Sequence, residues 1–399
     1  MTLLKELSQP ESWQAYLTYK KEKGHLPLVP LKALEDFIQN KEYLDSAKII
    51  QSGSPLMLPK KILLNKIGSN KKRVVYQYPE DFSRVLKLLS FLLHRYPQPK
   101  GCYSFAKDSG AHSAIRDLLR HPGLNKMVAY KVDIHNYFNS IDIPILLEIL
   151  QDVLRDDLLL YQFFERMLSS QQALYQDEII EEPKGIMAGT PTAPFLANLY
   201  LRELDDLFVK EGIPYARYSD DIIVFAKTLN ESIRQQQLIA QILDQYHLTI
   251  NPDKEVRTLP GETWSFLGMG VTGTSIDLSK ATKDKLKGKI RRKARSLYRW
   301  KLRKKASTAQ VQRVLIRTFN KKFFSQSDPT QLTWSRWFFP LLTKDDGLRE
   351  MDHYLQQYCR YLKDGHFHKK SYDTSYKDLK ELNYQSLVHA FFEYQKERK

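Results

Sequence analysis

The sequence contains only two cysteines, Cys102 and Cys359, which are far apart and form no Cys-x-x-Cys pair. This scarcity argues against a disulfide framework and against a structural zinc site. No apolar run approaches the length of a bilayer span, and the N-terminus lacks the long apolar core of a signal peptide. We therefore predict a cytoplasmic protein and no membrane among its partners.

Acidic residues are outnumbered, with 46 Asp and Glu against 62 Lys and Arg, a net charge of +16 and a pI near 9.4. Such an excess predicts a polyanionic partner, with nucleic acid preferred over an anionic membrane surface as the second candidate. A hydrophobic content of 42% indicates a folded protein. A chain of 399 residues is long enough for one large core or for two to three domains.

Two adjacent carboxylates, Asp220 and Asp221, follow Tyr218 and Ser219 and precede an apolar run over 222–225. This pattern predicts a tight turn that leads into a buried strand, with both acids at the mouth of that strand. Side chains alternate across a strand, yet both carboxylates are able to reach a divalent cation held just outside the sheet. Mg²⁺ is the expected ion, with Mn²⁺ as the alternative.

A third carboxylate, Asp133, ends another β-like run over 127–134. The stretch between Asp133 and Asp220 has room for helices that connect two neighbouring strands of one sheet. The resulting cluster would hold two metal ions, one activating a 3′-hydroxyl and the other stabilising the leaving pyrophosphate. The chemistry predicted from these acids is nucleotidyl transfer.

Three sequence boxes resemble those of reverse transcriptases, in the order found in that family. The segment 131–138 resembles motif A, 185–201 resembles motif B, and Tyr218-Ser219-Asp220-Asp221 resembles the Tyr-x-Asp-Asp of motif C. An isolated Tyr-x-Asp-Asp is a weak signal, whereas three ordered boxes are specific. The resemblance implies an RNA-directed DNA polymerase that copies an RNA template into a DNA product from dNTPs.

The resemblance also implies roles for individual residues at the reacting centre. Asp133, Asp220 and Asp221 would bind the metal ions, and the Ile134 carbonyl would complete one coordination shell. Phe138 occupies the position of the steric gate that excludes a 2′-hydroxyl, although an aromatic pair such as Tyr137 and Phe138 also commonly fills a core.

Further contacts with the nucleotide are expected from three other segments. Gly189 would let backbone approach the templating pair, although Ala188 stands where many family members have glutamine. Lys254, in a segment similar to motif D, is the candidate general acid, and a surface lysine is an equal alternative. Lys72 and Arg73 would contact the triphosphate from the fingers, or simply form a solvated hairpin tip.

Nucleic-acid contacts are predicted at Tyr218 and in the C-terminal third of the chain. Gly268 lies in a segment that resembles motif E, the primer grip. Residues 280–305 contain fourteen Lys or Arg and a single acid, Asp284. This density predicts a helix whose packed side includes Leu286, Ile290, Leu297, Tyr298 and Trp300 and whose other side binds a phosphate backbone; a solvated charged face is the alternative. The phosphate-binding candidates are Arg291, Arg292, Lys293 and Arg295.

The expected fold class is α+β, a right-hand polymerase with fingers, a palm of antiparallel sheet packed on helices, and a helical thumb. We predict an N-terminal helical extension at 1–50, fingers at 51–125, and a palm with motifs A to E at 126–275 that contains a fingers insertion at about 143–184. The basic thumb would occupy 276–399, with helices at 311–324, 348–362 and 379–394.

Short C-terminal segments at 334–340, 360–362 and 384–388 resemble the bacterial defence-associated "unknown group" of reverse transcriptases, which are relatives of retron, abortive-infection and group II intron enzymes. This likeness implies antiphage defence and a cognate structured noncoding RNA as template or scaffold. The alternatives are a template-independent nucleotidyl transferase, an RNA-templated RNA polymerase, or an RNA-binding scaffold with a non-essential palm. An oligomeric state is left open.

Overall fold

The computed structural model describes residues 2–23, 27–65, 72–105, 110–182, 185–324, 333–367 and 376–398. The chain divides into two compact units, the first containing Met1–Lys23 and Leu28–Glu262 and the second containing Thr263–Lys399. Within the described ranges, no helix is both long enough and apolar enough to cross a membrane.

The first unit combines helices with two four-stranded sheets. Its helices are α1 (Leu3–Glu6), α2 (Pro10–Lys23), α3 (Leu28–Gln39), α4 (Tyr43–Gln51), α5 (Glu80–Leu92), α6 (Ala111–Leu119), α7 (Tyr137–Ser140), α8 (Ile143–Val153), α9 (Leu158–Ser169), α10 (Ala193–Tyr200), α11 (Arg202–Lys210) and α12 (Leu229–Gln245). Its strands are β1 (Lys60–Asn65), β2 (Lys72–Gln77), β3 (Val128–Asp133), β4 (Gln172–Tyr175), β5 (Glu178–Glu181), β6 (Tyr215–Tyr218), β7 (Asp221–Ala226) and β8 (Val256–Thr258).

The N-terminal helices form a small aromatic core. Trp13 of α2 is fully buried and stacks on Tyr43 of α4, with ring centroids 4.8 Å apart. Phe37 of α3 meets the same indole edge-on at 5.6 Å. Such pairs add to the stabilisation from apolar burial alone. The short amphipathic helices predicted for this region are therefore packed together in part through these aromatic rings.

The first sheet has the strand order β2-β1-β4-β5. Strands β1 and β2 are antiparallel, with Lys60 opposite Gln77, and β4 joins β1 in parallel. The segment 143–184 thus contributes β4 and β5 to the sheet that β1 and β2 begin; residues 183 and 184 lie outside the described part. Two stretches distant in the sequence meet in one sheet.

The second sheet is entirely antiparallel and has the order β6-β7-β3-β8. Its two central strands are largely buried on both faces, since residues 222–226 of β7 are all buried and β3 is almost as enclosed. Helix α12 packs on β3 and β7, and helices α6 and α11 pack on β6. This sheet carries the predicted acids at one edge.

The second unit begins with an antiparallel meander, β9 (Trp264–Phe266), β10 (Met269–Thr272) and β11 (Ser275–Leu278), with β10 in the centre. The helices α13 (Lys280–Lys304), α14 (Thr308–Phe324), α15 (Trp334–Phe338), α16 (Asp346–Tyr361), α17 (Tyr376–Glu381) and α18 (Leu387–Lys396) follow. Helix α13 packs against α14 and α16 through a buried stripe that contains Leu286, Ile290, Ala294 and Leu297.

The α+β class predicted from the sequence is confirmed by these sheets and helices. The compact units divide ahead of Thr263, so the segment around Gly268 groups with the C-terminal helices. One detail differs from the prediction. The single helix expected over 379–394 is two helices, because Asn383 adopts a left-handed conformation with φ of 64° between them. The assignment of fingers, palm and thumb to particular segments stays a prediction.

The junction between α17 and α18 is fixed by one buried carboxylate. Asp352 of α16 is 6% exposed and accepts hydrogen bonds from the Tyr384 hydroxyl at 2.7 Å and the Ser386 hydroxyl at 2.6 Å. It also accepts the backbone N–H groups of Leu387 at 2.9 Å and Val388 at 3.0 Å. A carboxylate at this position satisfies N–H donors that the first turn of α18 leaves without a partner in the helix.

Asp352→Asn should destabilise the second unit, because one acceptor oxygen becomes an NH₂ group that faces hydrogen-bond donors. We expect the free energy of unfolding to fall by about 1–3 kcal/mol in urea titrations followed by circular dichroism. The control is Asp284→Asn, which neutralises an exposed acid on α13. Equal midpoints for the two variants would contradict this role for Asp352.

Candidate active site

Strand pairing brings the three predicted acids together. Asp133, the last residue of β3, lies directly opposite Asp221, the first residue of β7, in the antiparallel register. Ser219 and Asp220 form the two-residue connection between β6 and β7, and the Ile134 N–H donates to the Asp220 carbonyl at 3.0 Å. The acids separated in the sequence therefore lie at one edge of one sheet.

The turn that presents Asp220 has a specific backbone requirement. Ser219 adopts φ of 60°, in the left-handed region that two-residue hairpin turns use and that most residues avoid. The apolar residues of β7 are buried immediately after this turn and fix the position of the strand. The turn is consequently held against a rigid sheet, as the sequence pattern predicts.

Two lysines and an asparagine surround the acids. Lys254 Nζ lies 2.6 Å from Asp133 Oδ2, and Asn251 Nδ2 donates to Asp133 Oδ1 at 3.3 Å. Lys131 Nζ lies 3.5 Å from Asp221 Oδ1. Burial acts to lower the pKa of Lys254, but the hydrogen bond and charge of Asp133 outweigh it and raise the pKa above its usual value. Lys254 is thus held protonated beside the acid cluster.

The third acid, Asp220, has no comparable cationic partner at short range among the described residues. Burial raises the pKa of its carboxyl group, and the negative charges of Asp133 and Asp221 raise it further. Lys254 offsets only part of this effect. The site therefore holds more negative charge than the two lysines balance, which favours the entry of a cation.

These residues fit a divalent cation by donor type and by charge. Mg²⁺ prefers carboxylate, carbonyl and water oxygens, and the edge of the sheet offers three carboxylates next to the Ile134 carbonyl. As the side chains stand, no group of three or more His, Cys, Asp or Glu in the described ranges is arranged to hold a metal ion.

Comparison with known families agrees with this geometry. The model of the family described as reverse transcriptase (RNA-dependent DNA polymerase) matches residues 59–271, more than half of the chain. The chain belongs to the reverse transcriptase family. Members of this family generally use divalent metal ions, and the predicted polymerase fold class is confirmed.

Solved structures of fungal telomerases resemble this reverse transcriptase in part. Apo telomerase from Candida tropicalis truncated from its C-terminal domain is 12% identical, with a TM-score of 0.45 over 61% of this chain and 60% of that one. Telomerase from Candida albicans with a fragment of telomeric RNA is 13% identical, with a TM-score of 0.43 over 85% of this chain and 66% of that one. The chain spans less than two thirds of the length of either telomerase. No curated protein matches the sequence.

The turn between Gly185 and Thr192, within motif B of this reverse transcriptase, packs between motif A and strand β2. The Ile186 N–H donates to the Phe138 carbonyl at 3.0 Å, and the Tyr76 N–H donates to the Ala188 carbonyl at 2.9 Å. A Cβ on Gly185 would lie 2.0 Å from the Phe138 carbonyl oxygen, so only glycine fits. The turn joins the two segments expected to enclose a nucleotide.

Gly189 has its own backbone constraint. Its φ is 106°, and a Cβ built there would lie 3.0 Å from the Tyr76 carbonyl oxygen of β2. The glycine is thus required by the packing of the turn on β2. Its predicted approach to a templating base stays a prediction.

The aromatic pair of motif A is divided between core and surface. Tyr137 is buried and donates from its hydroxyl to the Ala197 carbonyl at 2.5 Å. Phe138 is only partly buried and meets the Tyr137 ring edge-on at 5.8 Å. The core-filling role therefore belongs to Tyr137, which leaves Phe138 available for contact with a sugar.

The remaining predicted contacts are not joined to the acids. Lys72 and Arg73 are exposed at the start of β2, and no hydrogen bond or ion pair within the described residues links them to the three carboxylates. Tyr218 ends β6 beside the turn and is partly exposed. In the second unit, Gly268 has φ of 88°, and its carbonyl accepts the Thr282 hydroxyl at 2.9 Å. Arg291, Arg292 and Arg295 are exposed and Lys293 partly so.

A buried ion pair supports the turn that carries Asp220, and sequence reasoning missed it. Arg217 and Asp205 are both fully buried; the guanidinium donates to Asp205 Oδ1 at 2.8 Å and to Oδ2 at 2.5 Å. It also donates to the Ser219 carbonyl at 3.3 Å and to the Asn198 carbonyl at 3.0 Å. Burial alone would lower the pKa of Arg217, but Asp205 raises it well above its usual value, so the guanidinium stays charged.

The signal for this pair was present in the sequence. An arginine next to a run of strand residues, at a position that becomes interior, requires a buried acid because arginine is almost never fully buried without a partner. Only the fold shows that the acid is Asp205 on helix α11.

Arg217→Met should destabilise the first unit, because it leaves the Asp205 carboxylate buried without its partner. We expect a loss of about 3–5 kcal/mol in the free energy of unfolding, measured in urea. Adding Asp205→Asn should restore part of this loss by removing the orphaned charge, whereas strict additivity of the two substitutions would contradict the coupling.

Proposed function

We propose that this chain is an RNA-directed DNA polymerase that works with two divalent metal ions. The observation that supports this proposal is the register of β3 and β7, in which Asp133 faces Asp221 while Asp220 occupies the adjoining turn. Such a set of carboxylates at the edge of a sheet suits transfer of a nucleotidyl group to a 3′-hydroxyl.

Mg²⁺, or Mn²⁺ as the alternative, would be held by Asp133, Asp220, Asp221 and the Ile134 carbonyl. When bound, the ions would lower the pKa of the attacking hydroxyl and neutralise charge on the leaving pyrophosphate. Residues of the chain would position the carboxylates for this reaction. Arg217 holds the Ser219 carbonyl and thereby the turn, and Asn251 orients Asp133. Lys254, protonated and half exposed, would supply a proton to the leaving group.

The nucleotide would lie between the motif A turn, the motif B turn and strand β2. Phe138 would pack beneath the sugar and exclude a 2′-hydroxyl, Gly189 would face the templating pair, and Lys72 and Arg73 would meet the triphosphate. Tyr218 and Gly268 would contact the primer strand. The cations Arg291, Arg292, Lys293 and Arg295 would bind the phosphate backbone.

The proposal includes a bacterial source, a role in antiphage defence and a cognate structured noncoding RNA. These parts rest on the resemblance of the C-terminal segments to the defence-associated group. An RNA template is the partner that the family itself favours, and the dNTP substrates and DNA product follow from the same assignment.

Replacing Asp220 and Asp221 together by Ala should abolish synthesis and leave RNA binding within about twofold, because the acids hold metal rather than RNA. The measurement is extension of a DNA primer on an RNA template, with dNTPs or NTPs and with template left out. Asp253→Ala, an exposed acid in the same unit, is the control. Synthesis by the double variant would contradict the assignment, and incorporation without template would favour the untemplated transferase.

Phe138→Ala should relax sugar discrimination. If the ring excludes a 2′-hydroxyl, the ratio of kcat/KM for dNTP over NTP should fall by about 10- to 100-fold. His135→Ala changes an exposed residue of the same turn and should leave the ratio unchanged. A lower melting temperature with an unaltered ratio would assign Phe138 to the core instead.

A further inference from the structure

Two sets of cations on helix α13 differ in their partners. Lys283 and Lys287 both form ion pairs with Glu350 of α16. Lys301 donates to the Leu362 carbonyl at 2.9 Å and also to the Lys363 carbonyl. These lysines hold the fold of the second unit together.

A second set has no carboxylate partner among the described residues: Arg291, Arg292, Lys293, Arg295, Arg299 and Arg303. All but Lys293 are exposed. Near the start of this set the positive charge is crowded. Burial lowers the pKa of Lys289, and the neighbouring charges of Lys322, Lys285 and Arg292 lower that pKa further. Clustered cations without acids favour an anionic partner.

The last part of this set surrounds a cavity of about 570 Å³. Helix α13 contributes the cations Lys293, Arg299 and Arg303, together with Ser296 and Trp300, and Val314 of α14 closes one side. Leu297, which is 8% exposed, forms part of the apolar lining. A volume in this range is typical of sites for small ligands or single nucleotide units. The cavity therefore combines apolar and aromatic side chains with three cations.

Trp300 is the aromatic side chain of this cavity, and it lacks the contacts that a structural tryptophan usually makes. Its indole is partly exposed, and within the described residues it has no ring partner and no hydrogen bond for its N–H. The neighbouring Tyr298, by contrast, packs on Tyr361 at 5.5 Å and donates to the Asp364 carbonyl at 2.7 Å. The sequence predicted that both residues lie on the packed side of α13, but only Tyr298 makes packing and hydrogen-bond contacts there.

We propose that this cavity binds an unpaired nucleotide of RNA, with its base against the indole of Trp300 and its flanking phosphates at Lys293, Arg299 and Arg303. Aromatic side chains within a cationic groove bind single strands with little sequence preference, because every base offers a π face. The inference rests on the proposed function for the presence of an RNA partner. It adds a subsite for a single-stranded segment, apart from a duplex held by phosphate contacts alone.

The shape of the site favours a nucleotide over a membrane surface. Membrane-binding helices present protruding apolar side chains between their cations. Helix α13 has one strongly exposed apolar side chain, Leu302, which lies outside the cavity, whereas Leu297 inside it is recessed among Lys293, Arg299 and Arg303.

The test compares two single-stranded 12-mers of equal charge, oligouridylate and an abasic ribose-phosphate chain, by equilibrium titration. The wild-type protein should bind the oligouridylate about 5- to 150-fold more tightly, which corresponds to the stacking of one base. Trp300→Ala should bring that ratio close to one, and Trp300→Phe should keep part of it. Leu302→Ala, a 62% exposed residue of the same helix outside the cavity, should keep the full ratio.

A second test concerns the cations that line the cavity. Arg299→Gln with Arg303→Gln should weaken binding of both 12-mers alike and reduce the slope of log affinity against log salt by about 1.4. Equal affinity of the wild type for the two 12-mers, or a preference for phosphatidylserine vesicles over RNA, would overturn the nucleotide site.

Primer extension separates this inference from the proposed function. Trp300→Ala should still extend a pre-annealed DNA primer on an RNA template, because the acids lie in the first unit. If the wild type shows the base-dependent ratio without any synthesis, the polymerase assignment fails and the nucleotide site stands. If the wild type synthesises DNA but binds both 12-mers equally, the nucleotide site fails and the polymerase assignment stands.

Discussion

The antiparallel pairing of β3 with β7 is the constraint on which the rest of the site depends. Because that register places Asp133 opposite Asp221, a slip of either strand by one residue would turn its carboxylate to the other face of the sheet, away from its partner. The buried apolar residues of the two strands prevent such a shift. The carboxylate geometry is thus specified by hydrophobic packing rather than by the acids themselves.

Three carboxylates at the ends of neighbouring strands repel each other electrostatically. The surrounding residues offset this repulsion in two ways. Lys254 and Lys131 lie against two of the acids, and Arg217 reaches from the interior to the carbonyl of Ser219. The buried guanidinium is itself stable only because Asp205 neutralises it. The turn that contains left-handed Ser219, and Asp220 with the raised pKa of its carboxyl, is consequently supported by an ion pair that lies entirely below the surface.

The second unit uses its charge in a different manner. Some lysines of α13 form ion pairs with Glu350 or hydrogen bonds with backbone carbonyls, while other cations of the helix are exposed. Counting lysines and arginines therefore overstates the surface available to a phosphate backbone. Trp300 differs from Tyr298 in the same respect, since the tryptophan lies beside Lys293, Arg299 and Arg303, which form no ion pairs among the described residues.

The sequence by itself determined the three acids, their order along the chain, the apolar strands that carry them and the basic helix, because strand and helix periodicity are local properties of the chain. It also predicted the family through three ordered boxes. The tertiary structure alone decided which lysine contacts which acid, that Asp205 is the partner of Arg217, that Tyr137 rather than Phe138 fills the core, and that Trp300 lines a cavity. Each of these depends on side chains far apart in the sequence, whose proximity arises only when the sheets and helices pack.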